Sequence, residues 1–124
     1  LSHAPRTLPP TSKDTAKLSL LRNAMTAYAK RRRALSHNLA NIDTPGYDRT
    51  AVAFEQELQE ARTSTGLGRR PSAVTARVEV QDEAPVLENE LMALSDTQMR
   101  TQLASRALSE HFDLMRTGIT GQSR

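Results

Sequence analysis

The side chains that could carry catalysis are few in this chain, and their spacing does not assemble them. Ser36 precedes His37, the residue types of a nucleophile and its base, but sequence neighbours on a helix point apart. His111 has Ala107 and Met115 four residues away, so it lacks the i, i+4 partner of a helical metal site. The absence of cysteine excludes thiol catalysis, disulfides and zinc–thiolate sites. We therefore expect a protein that is not an enzyme and holds no cofactor or metal.

Charged side chains offer two further candidate sites. The carboxylates Glu88 and Glu90, and likewise Glu110 and Asp113, are typical of ordinary exposed helix charges. The four consecutive cations from Lys30 to Arg33 point in four directions on a helix and cannot form one phosphate-binding face. We interpret them as a solvated helix surface with local pairing, or else as partners in salt bridges between subunits. Nucleic-acid binding ranks third, because the aromatic and glycine residues that usually accompany it are missing.

Composition favours one domain or one elongated subunit. The chain has 124 residues, of which 37% are hydrophobic and only four are aromatic, so a thick globular core is not expected. No apolar run approaches the roughly 18 residues of a membrane span, and none follows Arg6 as in a cleaved signal peptide. Residues 1–50 carry a net charge of +6 and residues 77–124 one of −3, which suits mutual pairing or head-to-tail contacts between copies.

A turn signal lies between Asn38 and Tyr47. Pro45 disfavours helical geometry at the residue before it, and Gly46 supplies the positive φ that the third position of a type II turn requires. The asparagine amides can bond to backbone groups near a helix end. We predict that a helix stops at about residue 42, turns sharply and presents Tyr47.

Two long helices must position this turn. Apolar residues recur at alternating intervals of three and four over residues 14–41 and again over residues 86–119, which predicts two helices with heptad stripes. The N-terminal stripe, interrupted by Arg32, contains Leu18, Leu21, Met25, Tyr28, Leu35, Leu39 and Ile42. The C-terminal stripe contains Leu87, Leu91, Leu94, Gln98, Thr101, Ser105, Leu108, Phe112, Met115 and Ile119, with its polar members at the centre.

The segment between the helices has weaker signals. Phe54, Leu58 and Ala61 share one helix face, which predicts a short helix over Val52 to Arg62. Residues 63–72 have the composition of a flexible connector. The alternation from Val74 to Val80 predicts a half-buried strand, whose partner would come from the connector or from another molecule.

The predicted fold is mainly α. It is an elongated antiparallel pair of long coiled-coil-like helices, with a short middle helix and a small β/loop connector. Residues 1–13 form a flexible arm, residues 14–62 and 86–120 a discontinuous helical core domain, and residues 63–85 the connector. The two helices would be roughly 42 and 51 Å long, whereas a compact globule of this size is roughly 35 Å across.

The run SHNLANIDTPGY, Ser36 to Tyr47, resembles the N-terminal signature of the flagellar rod and hook axial proteins, S-N-x-A-N-x-x-T-P-G-Y. The flanking helix, the segment Val52–Leu58 and the C-terminal segment Asn89–Ile119 are similar to the proximal rod members. His37 departs from the pattern where serine is common, and Asp48 departs where a basic residue usually follows. The matching residues are Asn38, Ala40, Asn41, Thr44, Pro45, Gly46 and Tyr47.

The resemblance implies a structural subunit of the proximal rod in the flagellar basal body, a periplasmic location and export without a cleaved signal. It also implies a homo- and hetero-oligomeric helical assembly with the rod proteins FlgC, FlgF and FlgG, the adaptor FliE and the flagellar export gate. In this interpretation the turn docks between neighbouring subunits. The alternatives are another axial protein such as FlgC, a basic helical adaptor for nucleic acid, and a stand-alone helical hairpin.

Overall fold

The computed structural model describes residues 12–66 and 75–120, with side chains for residues 14–63 and 75–118. The predicted mainly helical class is confirmed, with a long helix at each end, a short middle helix and a small two-stranded sheet. None of the helices in these ranges is long and apolar enough to cross a membrane. In chain order the elements are α1 (Ser12–Ala40), β1 (Thr50–Ala53), α2 (Glu55–Gly66), β2 (Arg77–Val80) and α3 (Leu87–Thr120).

Helices α1 and α3 form an antiparallel hairpin. Near the end of α1, Asn38 bonds to Glu90 near the start of α3, and earlier in α1 Ala24 shares a core cluster with Ala104. The helices contain 29 and 34 residues. At 1.5 Å per residue they are about 44 and 51 Å long, so the predicted elongated shape follows from their lengths.

The core is thin and rich in alanine. A T-shaped contact between Tyr28 and Phe54, with ring centroids 5.4 Å apart, joins α1 to the residue between β1 and α2. Alanine side chains let the helices approach closely but bury little area each. The buried hydrophobic residues are Ala16, Ala24, Ala27, Tyr28, Ala34, Leu35, Val52, Phe54, Ala61 and Ala104.

The short middle helix begins later and ends later than the sequence predicted. Val52 lies in β1, and α2 starts at Glu55 and continues to Gly66. The prediction that Val52 begins the helix is therefore wrong. Its buried side chain packs against α1 and its backbone pairs with β2, which favours the strand. Residues 63–66, predicted as connector, are helical; residues 67–74 and the arm up to residue 11 lie outside the described part.

Strand β2 has a partner that the sequence did not indicate. It pairs antiparallel with β1, from Thr50 opposite Val80 to Ala53 opposite Arg77, rather than with the connector or another molecule. The expected half-buried face is also absent, since all four residues of β2 are exposed. The reason is that β1 lies between β2 and helix α1, so β1 takes the buried position.

The predicted turn is present. Helix α1 ends at Ala40, two residues before the predicted stop. The N–H of Tyr47 donates to the carbonyl of Thr44 at 3.2 Å. Gly46 has a φ of 75°, the only positive φ in the described backbone, as the third residue of a type II turn requires.

Candidate assembly joint at the end of helix α1

Asn38 is the centre of a polar cluster at the end of α1. Its side chain is 0% exposed. The amide nitrogen donates to the carbonyl of Thr50 at 2.8 Å and to Glu90 Oε1 at 2.7 Å. The amide oxygen accepts from the Thr50 N–H at 2.8 Å and from the Tyr47 hydroxyl at 3.1 Å. Both donors and both acceptor positions are occupied, which is the full capacity of this side chain.

Glu90 supplies the buried charge of the cluster. It is 1% exposed, so its assignment to ordinary exposed helix charges was wrong, whereas Glu88 is exposed as predicted. Glu90 Oε2 accepts from Arg49 Nε at 2.9 Å, and Oε1 accepts from Arg49 Nη2 at 3.3 Å. A buried carboxylate is tolerated because this two-pronged guanidinium and the Asn38 amide replace its water.

Arg49 connects the pair to the sheet. Its Nη1 donates to Gln81 Oε1 at 2.6 Å. Its backbone N–H donates to the carbonyl of Glu83, and its carbonyl accepts from the N–H of Gln81. We call Asn38, Tyr47, Arg49, Thr50, Gln81 and Glu90 the joint. Within the ranges described above, no buried side-chain nitrogen or oxygen lacks a hydrogen-bond partner.

The joint divides the signature into two halves. Asn38 and Tyr47 point inward, where they bind within the subunit. The residues between them lie at the surface: Ala40, Thr44, Pro45 and Gly46 are exposed, and Asn41 is half-buried. These outer residues bond locally, with Thr44 Oγ1 donating to Asn41 Oδ1 at 3.1 Å and Asn41 Nδ2 donating to the carbonyl of His37 at 2.9 Å. Asp48 is also exposed. The turn is therefore held by bonds within the subunit, and most of its outer residues are exposed.

The basic cluster of α1 is also divided. Arg31 bonds to the carbonyl of Val52 at 2.7 Å, forms an ion pair with Glu55, and lies over the Phe54 ring at 4.3 Å from its centroid. Lys30, Arg32 and Arg33 are exposed. Arg31 is therefore a packing residue, a role that the charge pattern alone did not reveal.

The ion pair of Arg31 makes a small prediction about acid stability. Burial works to raise the pKa of Glu55, but hydrogen bonds from Arg31 and backbone N–H groups, with the Arg31 charge, hold the pKa below its usual 4.5. Its stabilisation is present above the unfolded pKa and is lost as pH falls through the folded one. Because Glu55 is mostly exposed, we expect Glu55→Gln to lower the free energy of unfolding by less than about 1 kcal/mol at pH 7. Urea denaturation at pH 7 and pH 3 should show the difference shrinking in acid.

The predicted stripe of α1 lies on or beside its packed face. Tyr28 and Leu35 are buried, Arg32 is exposed, and the half-buried members are Leu18, Leu21, Met25, Leu39 and Ile42. The most deeply buried positions of the helix include Ala16, Ala27 and Asn38.

The predicted stripe of α3 is offset from its buried face. The buried positions are Glu90, Thr97, Ala104 and His111, spaced seven residues apart. Leu94, Leu108 and Met115 flank that row and are half-buried. Leu87, Leu91 and Phe112 are exposed, and the side chain of Ile119 lies outside the described set.

The candidate catalytic residues remain dispersed. Ser36 and His37 are both exposed, and His111 is buried beside the Phe112 ring at a centroid distance of 6.0 Å. Across residues 14–63 and 75–118, no group of three acidic, histidine or cysteine side chains could hold a metal ion. The joint residues that sequence reasoning missed are Arg49, Thr50, Gln81 and Glu90. No local pattern in the sequence marks them, because their partners lie on other elements of the fold.

Comparison with known proteins gives one specific similarity. The chain is 36% identical over 64 residues to the flagellar basal body rod protein FlgB of Aeromonas hydrophila. The match covers 52% of this chain and 48% of that protein, so it spans about half the length of each. No protein-family profile matches the chain. Over that segment, the sequence is similar to a flagellar rod protein.

Proposed function

We propose that this chain is a structural subunit of the proximal rod of the bacterial flagellum, related to FlgB. The observation that carries the proposal is the signature turn, whose inner half is fixed by the joint and whose outer half is exposed. The similarity to FlgB supports the same role. So does the elongated hairpin, which has too little core to be built for chemistry at an enclosed site.

The surface of α3 supports an assembled state. Exposed large hydrophobic residues lie along most of its length: Leu87, Leu91, Met92, Met99, Leu103, Phe112 and Leu114. A free monomer rarely exposes so many on one helix, and such surfaces commonly mark protein–protein contacts. In our proposal these residues pack against neighbouring subunits in a helical array, in which a non-closing contact repeats from copy to copy.

The implied partners follow from the role. We propose contacts with the rod proteins FlgC, FlgF and FlgG, with the adaptor FliE and with the export gate, in a periplasmic shaft reached through flagellar export. The outer turn residues Asn41, Thr44 and Pro45 would face the neighbouring subunit and fix its angle, since hydrogen bonds within the subunit already hold the turn.

Gly46→Val tests the role of the turn. No atom lies within 4 Å of a Cβ at Gly46, so the folded subunit has room for the side chain. The positive φ costs about 1–2 kcal/mol for a non-glycine residue, so the turn should leave its type II geometry. In the bacterium that encodes the chain, we expect loss of swimming and of rods in cryo-tomograms of basal bodies.

Gly118→Val is the matched control. This glycine lies in α3, also has no atom within 4 Å of a built Cβ, and has no positive φ. We expect near-normal rods with that variant. Normal rods with Gly46→Val would contradict the role of the turn, and normal rods after deletion of the gene would contradict the proposed function itself.

A further inference from the structure

The two edges of the small sheet differ in how their backbone groups are satisfied. On β1, Asn38 binds both the N–H and the carbonyl of Thr50, and Arg31 binds the carbonyl of Val52. These groups therefore point away from β2. In an antiparallel pair, residues that face each other point their backbone groups either both inward or both outward.

The backbone N–H and carbonyl groups of the opposite residues of β2 must therefore point away from β1. Val80 faces Thr50 and Val78 faces Val52, so the N–H and carbonyl groups of both valines lie at the outer edge. Their side chains are 63% (Val78) and 73% (Val80) exposed. No hydrogen bond to these backbone groups occurs within residues 12–66 and 75–120. An exposed edge with two valines is a template for one more strand.

Positively charged side chains near this edge favour an acidic partner. A groove of about 200 Å³ beside Val78 is lined on the α1 side by Lys30, Arg33 and His37. A strand added to β2 would place every second side chain over the cations Lys30 and Arg33. The undescribed segments of the chain do not fit. Residues 1–11 carry one arginine and three prolines, residues 67–74 carry two arginines and one proline, and residues 121–124 are only four residues long and include Arg124. Proline cannot donate to a ladder, and arginine would repel.

We propose that the outer edge of β2 binds an extended, acidic segment of a partner protein as a third strand. Main-chain hydrogen bonds to Val78 and Val80 supply the attachment, and acidic side chains on one face of the segment lie over Lys30 and Arg33. This interaction surface is distinct from the turn and from the exposed face of α3, and it does not depend on the rod role.

A blocked seven-residue peptide of alternating threonine and glutamate tests the proposal on the full chain. Titration followed by amide NMR should shift the Val78 and Val80 signals and slow exchange of their protons with water. The matching threonine–lysine peptide should bind at least about tenfold more weakly at low salt. Equal binding of the two peptides, or no change at either valine, would overturn the proposal. So would amides already protected without peptide, since the chain itself would then cover the edge.

Three variants distinguish binding at the strand edge from a general effect of charge. Val78→Pro removes an outward N–H but no bond of the β1–β2 ladder, so binding should fall while helical circular dichroism stays unchanged. Arg33→Glu should weaken glutamate-peptide binding by roughly five-fold. Arg22→Glu makes the same charge change on an exposed part of α1 outside the groove and should alter binding by less than about twofold. Equal effects of the two reversals would contradict a local basic groove.

Discussion

Arg49→Met is expected to lower the free energy of unfolding by about 3–5 kcal/mol. The variant leaves the Glu90 carboxylate, 1% exposed, without the guanidinium that now contacts both of its oxygens. It also removes the donor to Gln81. Urea denaturation followed by circular dichroism measures the change, and the slope of the transition shows whether the same surface unfolds.

The double variant Arg49→Met with Glu90→Gln shows whether the loss of stability comes from the unpaired Glu90 charge or from lost packing of Arg49. Glutamine keeps an oxygen for the Asn38 amide but carries no charge, so we expect it to recover more than half of the loss. Arg49→Lys should lie between the wild-type and methionine variants, because it keeps the charge without the two-pronged geometry. If the double variant is no more stable than Arg49→Met, the buried charge is not the source of the effect.

Asn38→Asp has the second large expected effect, about 3 kcal/mol or more of lost stability at pH 7. The substitution is nearly isosteric, but it replaces the donor to Thr50 and Glu90 by an oxygen and puts a second carboxylate 2.7 Å from Glu90 Oε1. Two ionised carboxylates at this distance repel each other, so keeping both ionised lowers the stability of the folded state. The measurement is again urea denaturation, at pH 7 and at pH 5.

The pH dependence of the Asn38→Asp variant has a definite sign. Repulsion from the neighbouring Glu90 raises the pKa of the introduced carboxyl group above its unfolded value, so the folded variant binds more protons than the unfolded chain. Its deficit relative to the wild type should therefore shrink as pH falls from 7 to 5. Asn41→Asp is the control, because the side chain of this half-buried asparagine of the same signature bonds to the nearby residues His37 and Thr44. A deficit that does not change with pH would point to lost hydrogen bonds alone.

The helices were predictable because their signals are local. Apolar intervals of three and four residues located α1 and α3, and Pro45 with Gly46 located the turn between α1 and β1. The boundaries of α2 were missed, because the strand at Val52 depends on β2, about 25 residues away, and on its burial against α1. Such long-range pairing leaves no periodic pattern in a four-residue segment.

The packed face of α3 could not be derived from hydrophobicity. The buried positions of α3 include Thr97, Ala104 and His111, whereas its leucines are half-buried or exposed. The partners of Glu90 are 41 and 52 residues away. A glutamate on a helix is expected to be exposed unless the distant cation that pairs with it is known. Glu90 was therefore misassigned, whereas Asn38 was selected from the signature.

The joint also determines how the subunit responds to a load along its axis. Smooth alanine surfaces resist sliding poorly, because a shift of one helix past the other exchanges one small contact for a similar one. The bonds of Asn38 and Arg49 to Glu90 have no equivalent in a shifted position, so they lock the lengthwise alignment at one end of the hairpin. We therefore expect the joint to pass compression or twist from one helix to the other at this end of the hairpin.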